Sequence, residues 1–379
     1  MPAARPAAAT FADSFESVRP LAAVVSYRLG GTDGVSVEAA KWMWALGELG
    51  FDVRRVAGRI EGEEQDGDVV LPGLAADTAE PPPIERAGVA EALAGADLVV
   101  VENLCSLPLN LAAARAVAGA AAEHPGRVLL HHHDLAWQRR HLAQHEREFP
   151  PRVSGALHVT VNLRSRRELQ ARGFEGAVAI YNRFDFDAPP GDRVAARNAL
   201  GFGEDDVVVF HPARAIERKN VPGGVRFAAA LAAALPGRTV RYWLSGPAED
   251  GYGPTLERVL ERSTVGVTLG RASVAADAYA AADVVALPST WEGFGNPTIE
   301  SIIARRPLAV FAYPVLAEIV AHGIRFFDLD EIAEISRALL TPDDARLDAN
   351  LRRARAAFSL ADLPAAIDQA FETRGWKSW

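Results

Sequence analysis

The sequence predicts an α/β protein built from two Rossmann-like domains, each a parallel sheet with helices on both faces, set facing one another. Three observations predict it. Short apolar runs alternate with helical stretches of about 10–15 residues. The apolar runs mostly end in glycine or polar residues, as strands do when they deliver side chains to a site. A polar, Pro-bearing stretch near 184–192 interrupts the cycle, which then starts again. A chain of 379 residues has room for about two domains at roughly 100–200 residues each.

The elements follow in order. Residues 1–20 are Ala/Pro-rich, lack the apolar core of a signal peptide, and read as a loose tail. LAAVVSYRLG (21–30) is a buried strand ending at Gly30-Gly31. VSVEAAKWMWALGELG (35–50) is a helix with Val37, Ala40, Trp44, Leu46 and Leu49 at helical spacing, stopped by Gly50. FDVRRVAG, DLVVVENL (97–104), RVLLHHHD (127–134), ALHVTVN (156–162) and AVAIYN are further strands. An Ala-rich helix and SRRELQARGF lie between them. This first domain spans 21–184. The second, 185–358, runs DVVVFHPAR, PGGVRFAAALAAAL, TVRYWLSGP, TLERVLERS, VGVTLG, ADAYAAA, DVVALPS, PTIESIIARR and PLAVFAYP as alternating strands and helices. Residues 359–379 hold a final helix, AAIDQAFETRGW, expected to return to the first domain.

Composition narrows the function. Forty Lys and Arg against 49 Asp and Glu give a net charge of −9, a poor match for binding nucleic acid by charge alone. A single cysteine, Cys105, excludes an intrachain disulfide and a Cys-based zinc site. No apolar run is long enough to cross a membrane. The expected location is the cytoplasm. The Trp42-Met43-Trp44 cluster suits core packing or, as the alternative, membrane-surface contact.

The most informative stretch is VVALPSTWEGFGNPTIESIIA (284–304). A buried strand ends at Pro288. Gly293 and Gly295 let backbone approach a ligand closely. Asn296 is a candidate N-cap, with Pro297 in the first helical turn. The helix start offers unpaired N–H groups to an anion. Glu292 and Glu300 are spaced to hold two parts of one ligand. By composition alone the same stretch reads equally as a Gly-rich turn with two solvated glutamates. In HPARAIERKN, Arg214 and Lys219 stand five apart after a strand, where two fixed cations would stabilise a diphosphate leaving group without a metal. A solvated basic loop is the alternative.

EGFGNPTIE with the Arg-x4-Lys element resembles the retaining family 4 glycosyltransferases of the GT-B fold, over most of the chain and most closely from about 207 to 304. The resemblance implies two facing Rossmann domains. It implies transfer of a hexose from a nucleotide-diphosphate sugar to an acceptor hydroxyl, with retention and no metal or other cofactor. It places Glu292 against the donor sugar, the Gly293, Phe294 and Gly295 amides on phosphate or sugar, and Glu300 on the ribose. Arg214 and Lys219 would grip the diphosphate. Gly246 and Leu269, in the turns after two donor-domain strands, would meet the donor and its base. In the first domain Gly31 would approach the donor, and His133 would contact the transferred sugar. By their own chemistry Asp33, Asp134 and Arg139 could line the acceptor side, with a tight strand–helix turn at Asp33 and a solvated loop at Arg139 as the alternatives. His131 and His133 lie on one face of their strand, a spacing that also suits zinc.

The chain departs from the family at Arg305-Arg306-Pro307, at Tyr313-Pro314-Val315 and at Tyr181–Asp185. GGTDGVS, HHHD and YPV together resemble enzymes that make glycosylated glycerate-type solutes. The remaining alternatives are a nucleotide-sugar epimerase on the same fold, a metal-dependent hydrolase using His131 and His133, and a non-catalytic nucleotide-sugar binding protein.

Overall fold

The computed structural model describes residues 19–78 and 80–376; the expected tail falls almost wholly outside them. Seven strands form the first sheet: β1 (Leu21–Leu29), β2 (Asp52–Ile60), β3 (Val69–Val70), β4 (Leu98–Glu102), β5 (Arg127–His132), β6 (Leu157–Thr160) and β7 (Val178–Ala179). Its helices are α1 (Gly34–Glu48), α2 (Arg86–Ala92), α3 (Leu111–Glu123) and α4 (Leu163–Gln170). The second sheet holds β8 (Val207–His211), β9 (Val240–Leu244), β10 (Gly266–Leu269), β11 (Val284–Leu287), β12 (Leu308–Val310) and β13 (Phe327–Asp328). Its helices are α5 (Arg193–Leu200), α6 (Val221–Ala234), α7 (Gly253–Glu261), α8 (Ala275–Ala281), α9 (Pro297–Ile303), α10 (Leu316–Val320), α11 (Ile332–Leu340) and α12 (Asp344–Phe358). α13 (Leu363–Thr373) closes the described chain.

The strand orders are β3-β2-β1-β4-β5-β6-β7 and β10-β9-β8-β11-β12-β13, and every ladder is parallel. The order reverses between β1 and β4, and again between β8 and β11. Crevices at such reversals are where parallel sheets hold ligands. The apolar runs are continuous because both faces are covered. Along β1, Ala23 and Val25 enter one core while Ala22 and Val24 enter the other. Val207 and Val209 oppose Val208 and Phe210 in β8 in the same way.

Helix α1 turns a different face inward from the one its sequence suggested. Trp42, Ala45 and Leu46 are buried, whereas Ala40 is exposed and Trp44 is 42% exposed. Two features outside the helix set this phase. His131 offers Trp42 a ring 4.3 Å away, and α13 packs its Leu363, Ile367 and Phe371 into the same cluster. α5 lies at the edge of the stretch read as linker. Its signals are local: Asp192 caps its start, and Gly201 ends it at φ +71.

The two domains meet through an aromatic cluster that includes Phe184, Phe294, Ile299 and Phe358. Here the chain runs alongside itself. Phe184 N–H donates to Phe358 O, and Leu360 N–H donates to Phe184 O, both at 2.8 Å.

Candidate active site

In the second domain, the turn after β8 is stitched to the loop after β11. Asn220 adopts φ +50, caps α6 through Gly223 N–H, and donates its amide to Pro288 O at 3.2 Å. Thr290 N–H donates to Arg218 O at 2.8 Å. These bonds deliver Lys219 to Glu292, with Nζ 2.5 Å from Oε1, while Arg218 reaches Oε2 at 3.1 Å. Both members of the Lys219–Glu292 pair are buried. Burial pushes Lys219 down to about 8 even with Glu292 beside it, and Arg218 and Arg214 add to the depression. Burial works to raise Glu292, but Lys219 and Arg218 outweigh it and hold the carboxylate at about 2. Arg214 is only half-buried and pairs with Glu249 at 2.5 Å. Gly246 is required by contact, since a Cβ there would lie 2.6 Å from Arg214 Cα.

The loop from Glu292 to Asn296 is equally constrained. Gly295 adopts φ +95, and a Cβ there would lie 2.2 Å from the Tyr313 hydroxyl, which donates to Phe294 O at 2.9 Å. Tyr313 therefore fills the space over this loop, a physical reading of one departure from the family pattern. Another is Arg305, which ends α9 at φ +56 and pairs with Asp344 and Asp348. Among the described residues, the amides of Gly293, Phe294 and Gly295 have no protein acceptor. The Phe294 side chain is buried between the domains. Asn296 is not the side-chain cap expected of it. Its backbone is already helical and its side chain makes no cap bond. It donates instead to Glu38 on α1 at 3.0 Å and accepts from Asn182 at 2.8 Å. Glu300 is raised by burial and accepts from the Tyr279 hydroxyl at 2.5 Å. Leu269, at the tip of edge strand β10, is 49% exposed.

In the first domain, Gly30 takes φ +77 where a Cβ would lie 2.0 Å from Glu61 O. Gly31 sits over Asp33, which caps α1 rather than facing outward. Its carboxylate accepts from Val35 and Ser36 amides, from the Ser36 hydroxyl at 2.6 Å and from Arg28 at 2.8 Å. Both oxygens are engaged within the first domain, in the cap and the pair with Arg28. Asp134 and Arg139 pair with each other at 2.5 Å. His132 turns to the opposite face of the sheet, toward Ser106 and His158. His131 and His133 converge on Glu102, at 2.9 and 3.1 Å. The polar atoms of these three lie within 4.8 Å of one another, close enough for a metal ion. Yet both rings already contact the carboxylate, and His131 Nε2 has none of the acceptors that orient a metal-bound ring. The set is a hydrogen-bonded cluster.

The two halves touch through these same residues. Trp291 Nε1 donates to Asp134 at 3.1 Å, and Asn162 donates to Gly293 O at 2.6 Å. A Cβ on Gly293 would lie 2.4 Å from His133 O. Thus the loop that carries Glu292 and the three residues after it lies against the backbone of His133 and Asp134.

Residues 206–345 match the model described as Glycosyl transferases group 1. The chain is 26% identical to Mannosylglucosylglycerate synthase of Thermotoga maritima, over 85% of this chain and 88% of that protein. Its identity to Mannosylglucosylglycerate synthase of Petrotoga mobilis is 24%, over 83% and 88%. Its fold is similar to that of Anabaena HepE in complex with UDP and glucose, at TM-score 0.71 and 19% identity, over 94% of this chain and 100% of that one.

The fold is of the GT-B type, and its second domain carries a glycosyl transferases group 1 match.

Several site-shaping residues carried no sequence signal strong enough to single them out. Arg218 is flanked by the Arg-x4-Lys pair and looks like ordinary loop charge. Trp291, Glu38 and Tyr279 act across long sequence separations. Glu102 stood at a strand end, where Glu102–Asn103 was visible but had no partner until β5 was laid beside β4. A cavity of about 430 Å³, lined in part by Arg306, Phe327 and Arg346, lies at the amino ends of the second sheet. It is lined also by Arg305 and Asp344 and includes none of Lys219, Glu292, Gly293 and His133. Among the described residues no helix is long and apolar enough to cross a membrane.

Proposed function

We propose that the protein is a retaining hexosyltransferase that moves a sugar from a nucleoside-diphosphate donor to an acceptor hydroxyl in the cleft between its sheets, working in the cytoplasm without a metal. The observation that carries this reading is the buried Lys219–Glu292 pair, with Arg214 close enough to depress Lys219, on the loop whose Gly293–Gly295 amides have no acceptor among the described residues. Two cations and a run of amides without protein acceptors match a diphosphate that gains charge as the glycosidic bond breaks. When the phosphates arrive, Lys219 exchanges the Glu292 carboxylate for phosphate oxygen, and Glu292 is freed toward the sugar hydroxyls. Glu300, held by Tyr279, takes the ribose. The departing phosphate accepts the acceptor proton on the same face, which preserves the anomeric configuration. Closure around His133 excludes water and limits donor hydrolysis.

The names of the two sequence relatives, together with the GGTDGVS and HHHD motifs, support a glucosylglycerate-type acceptor and a mannosyl donor as the first pair to try. The test is incubation of UDP- and GDP-hexoses with glucosylglycerate, with products followed by mass spectrometry. A product one hexose heavier supports the reading. Interconversion of nucleotide sugars without an acceptor would make the protein an epimerase. Donor binding without turnover would make it a binding protein, and activity abolished by chelation would favour the hydrolase.

A further inference from the structure

Glu102 closes β4 with no exposed surface, and its carboxylate contacts two rings, His131 Nδ1 and His133 Nε2. An ionised carboxylate only accepts hydrogen bonds, so both of those ring nitrogens must carry hydrogen. For His133 this leaves Nδ1 as the nitrogen available to a ligand. Nδ1 points away from Glu102, has no partner among the described residues, and is not sealed from solvent as His131 Nε2 is. His131 plays a different part. Its Nε2 is buried without a partner, and Trp42 lies against its ring. Protonating that nitrogen would strand an N–H in an apolar seal, so His131 stays neutral and serves as a second strut.

We propose that Glu102 is a positioning residue for sugar transfer. By accepting from Nε2–H it locks the His133 ring and dictates that Nδ1 is the nitrogen presented to the transferred sugar. This rests on the reading above in which His133 faces that sugar. The titratable groups around His133 are Glu102 on β4, His131 on β5, Glu38 on α1 and neighbouring Asp134. Burial opposes charge on the ring, but the carboxylates outweigh it and raise its pKa. The protonated ring offers Nδ1–H as a donor to a sugar hydroxyl. As pH rises through the His133 pKa, Nδ1 becomes an acceptor.

Two measurements test this. Histidine ¹⁵N NMR on the whole wild-type chain, above the His133 pKa, should show its proton on Nε2; a proton on Nδ1 overturns the proposal without any variant. Glu102→Gln should then lower kcat about 10–100-fold, with donor KM within about twofold, and cause no further loss in a His133→Ala background. Glu102→Asp keeps the charge one methylene short and should recover part of kcat. A full-sized Glu102→Gln effect in His133→Ala, or a stoichiometric metal in the wild type that Glu102→Gln removes, overturns the proposal. Full activity in His133→Ala would instead sink the sugar-facing reading, and the role in transfer with it, while the NMR result reports separately on the tautomer lock.

Discussion

Replacing Lys219 with methionine removes the ammonium and keeps most of the side-chain volume. The structure fixes what should follow. Held at about 2 instead of its ordinary 4.5, Glu292 contributes roughly 3 kcal/mol at neutral pH, at about 1.4 kcal/mol per pH unit. Held at about 8 instead of 10.5, Lys219 costs roughly as much by the same conversion. The two effects oppose each other, as burial and attraction do in buried ion pairs generally. Removing Lys219 alone breaks the balance. Glu292 stays buried, keeping only Arg218 at 3.1 Å, and the expected loss is about 2–4 kcal/mol. Lys219→Met with Glu292→Gln removes both charges and should return to within about 1 kcal/mol of wild type. The assay is urea unfolding of all four proteins followed by tryptophan fluorescence. Additive losses in the double variant would refute the reasoning, because they would mean that the two groups are stabilised independently.

Other outcomes follow from the same geometry. Gly295→Ala must accept φ +95 and a Cβ 2.2 Å from the Tyr313 hydroxyl, so it should lose about 1–3 kcal/mol by thermal unfolding and most turnover. Gly293→Ala would meet His133 O at 2.4 Å, and its expected signature is a folded protein whose turnover falls far more than its melting temperature. Trp291→Phe loses the bond to Asp134, so domain closure should weaken and KM should rise with the fold intact. Acid should destabilise the protein through Glu102 and Glu292. Both carboxylates sit at about 2, so their contribution is complete above about 4.5 and is lost as pH falls toward 2. A urea series across that window should show stability falling with pH, and Glu292→Gln should flatten part of the slope.

Much of the fold was legible because its signals are local. LVVVE and VVVFH are buried on both faces, so they stand out as unbroken apolar runs. Gly30, Gly50 and Pro297 punctuate the chain where the backbone demands it. The helix phase of α1 was not legible, because His131 and α13 choose which tryptophan goes inside. Asn296 followed the N-cap pattern, yet its partner proved to be Glu38, 258 positions away. The site divides in the same way. Arg214, Lys219 and Glu292 announce themselves by type and spacing. That Lys219 and Glu292 hold each other, and that Glu102 stands behind His133, depends on which strands become neighbours.

The most direct measurement is calorimetric titration of UDP and GDP into the wild type, Arg214→Ala and Lys219→Ala. The account predicts that one nucleotide binds the wild type, and that each substitution weakens it at least about tenfold, the loss of roughly 1.4 kcal/mol expected for one charge-assisted phosphate contact. Unchanged affinity in either variant would contradict the diphosphate grip and the transfer reaction built on it.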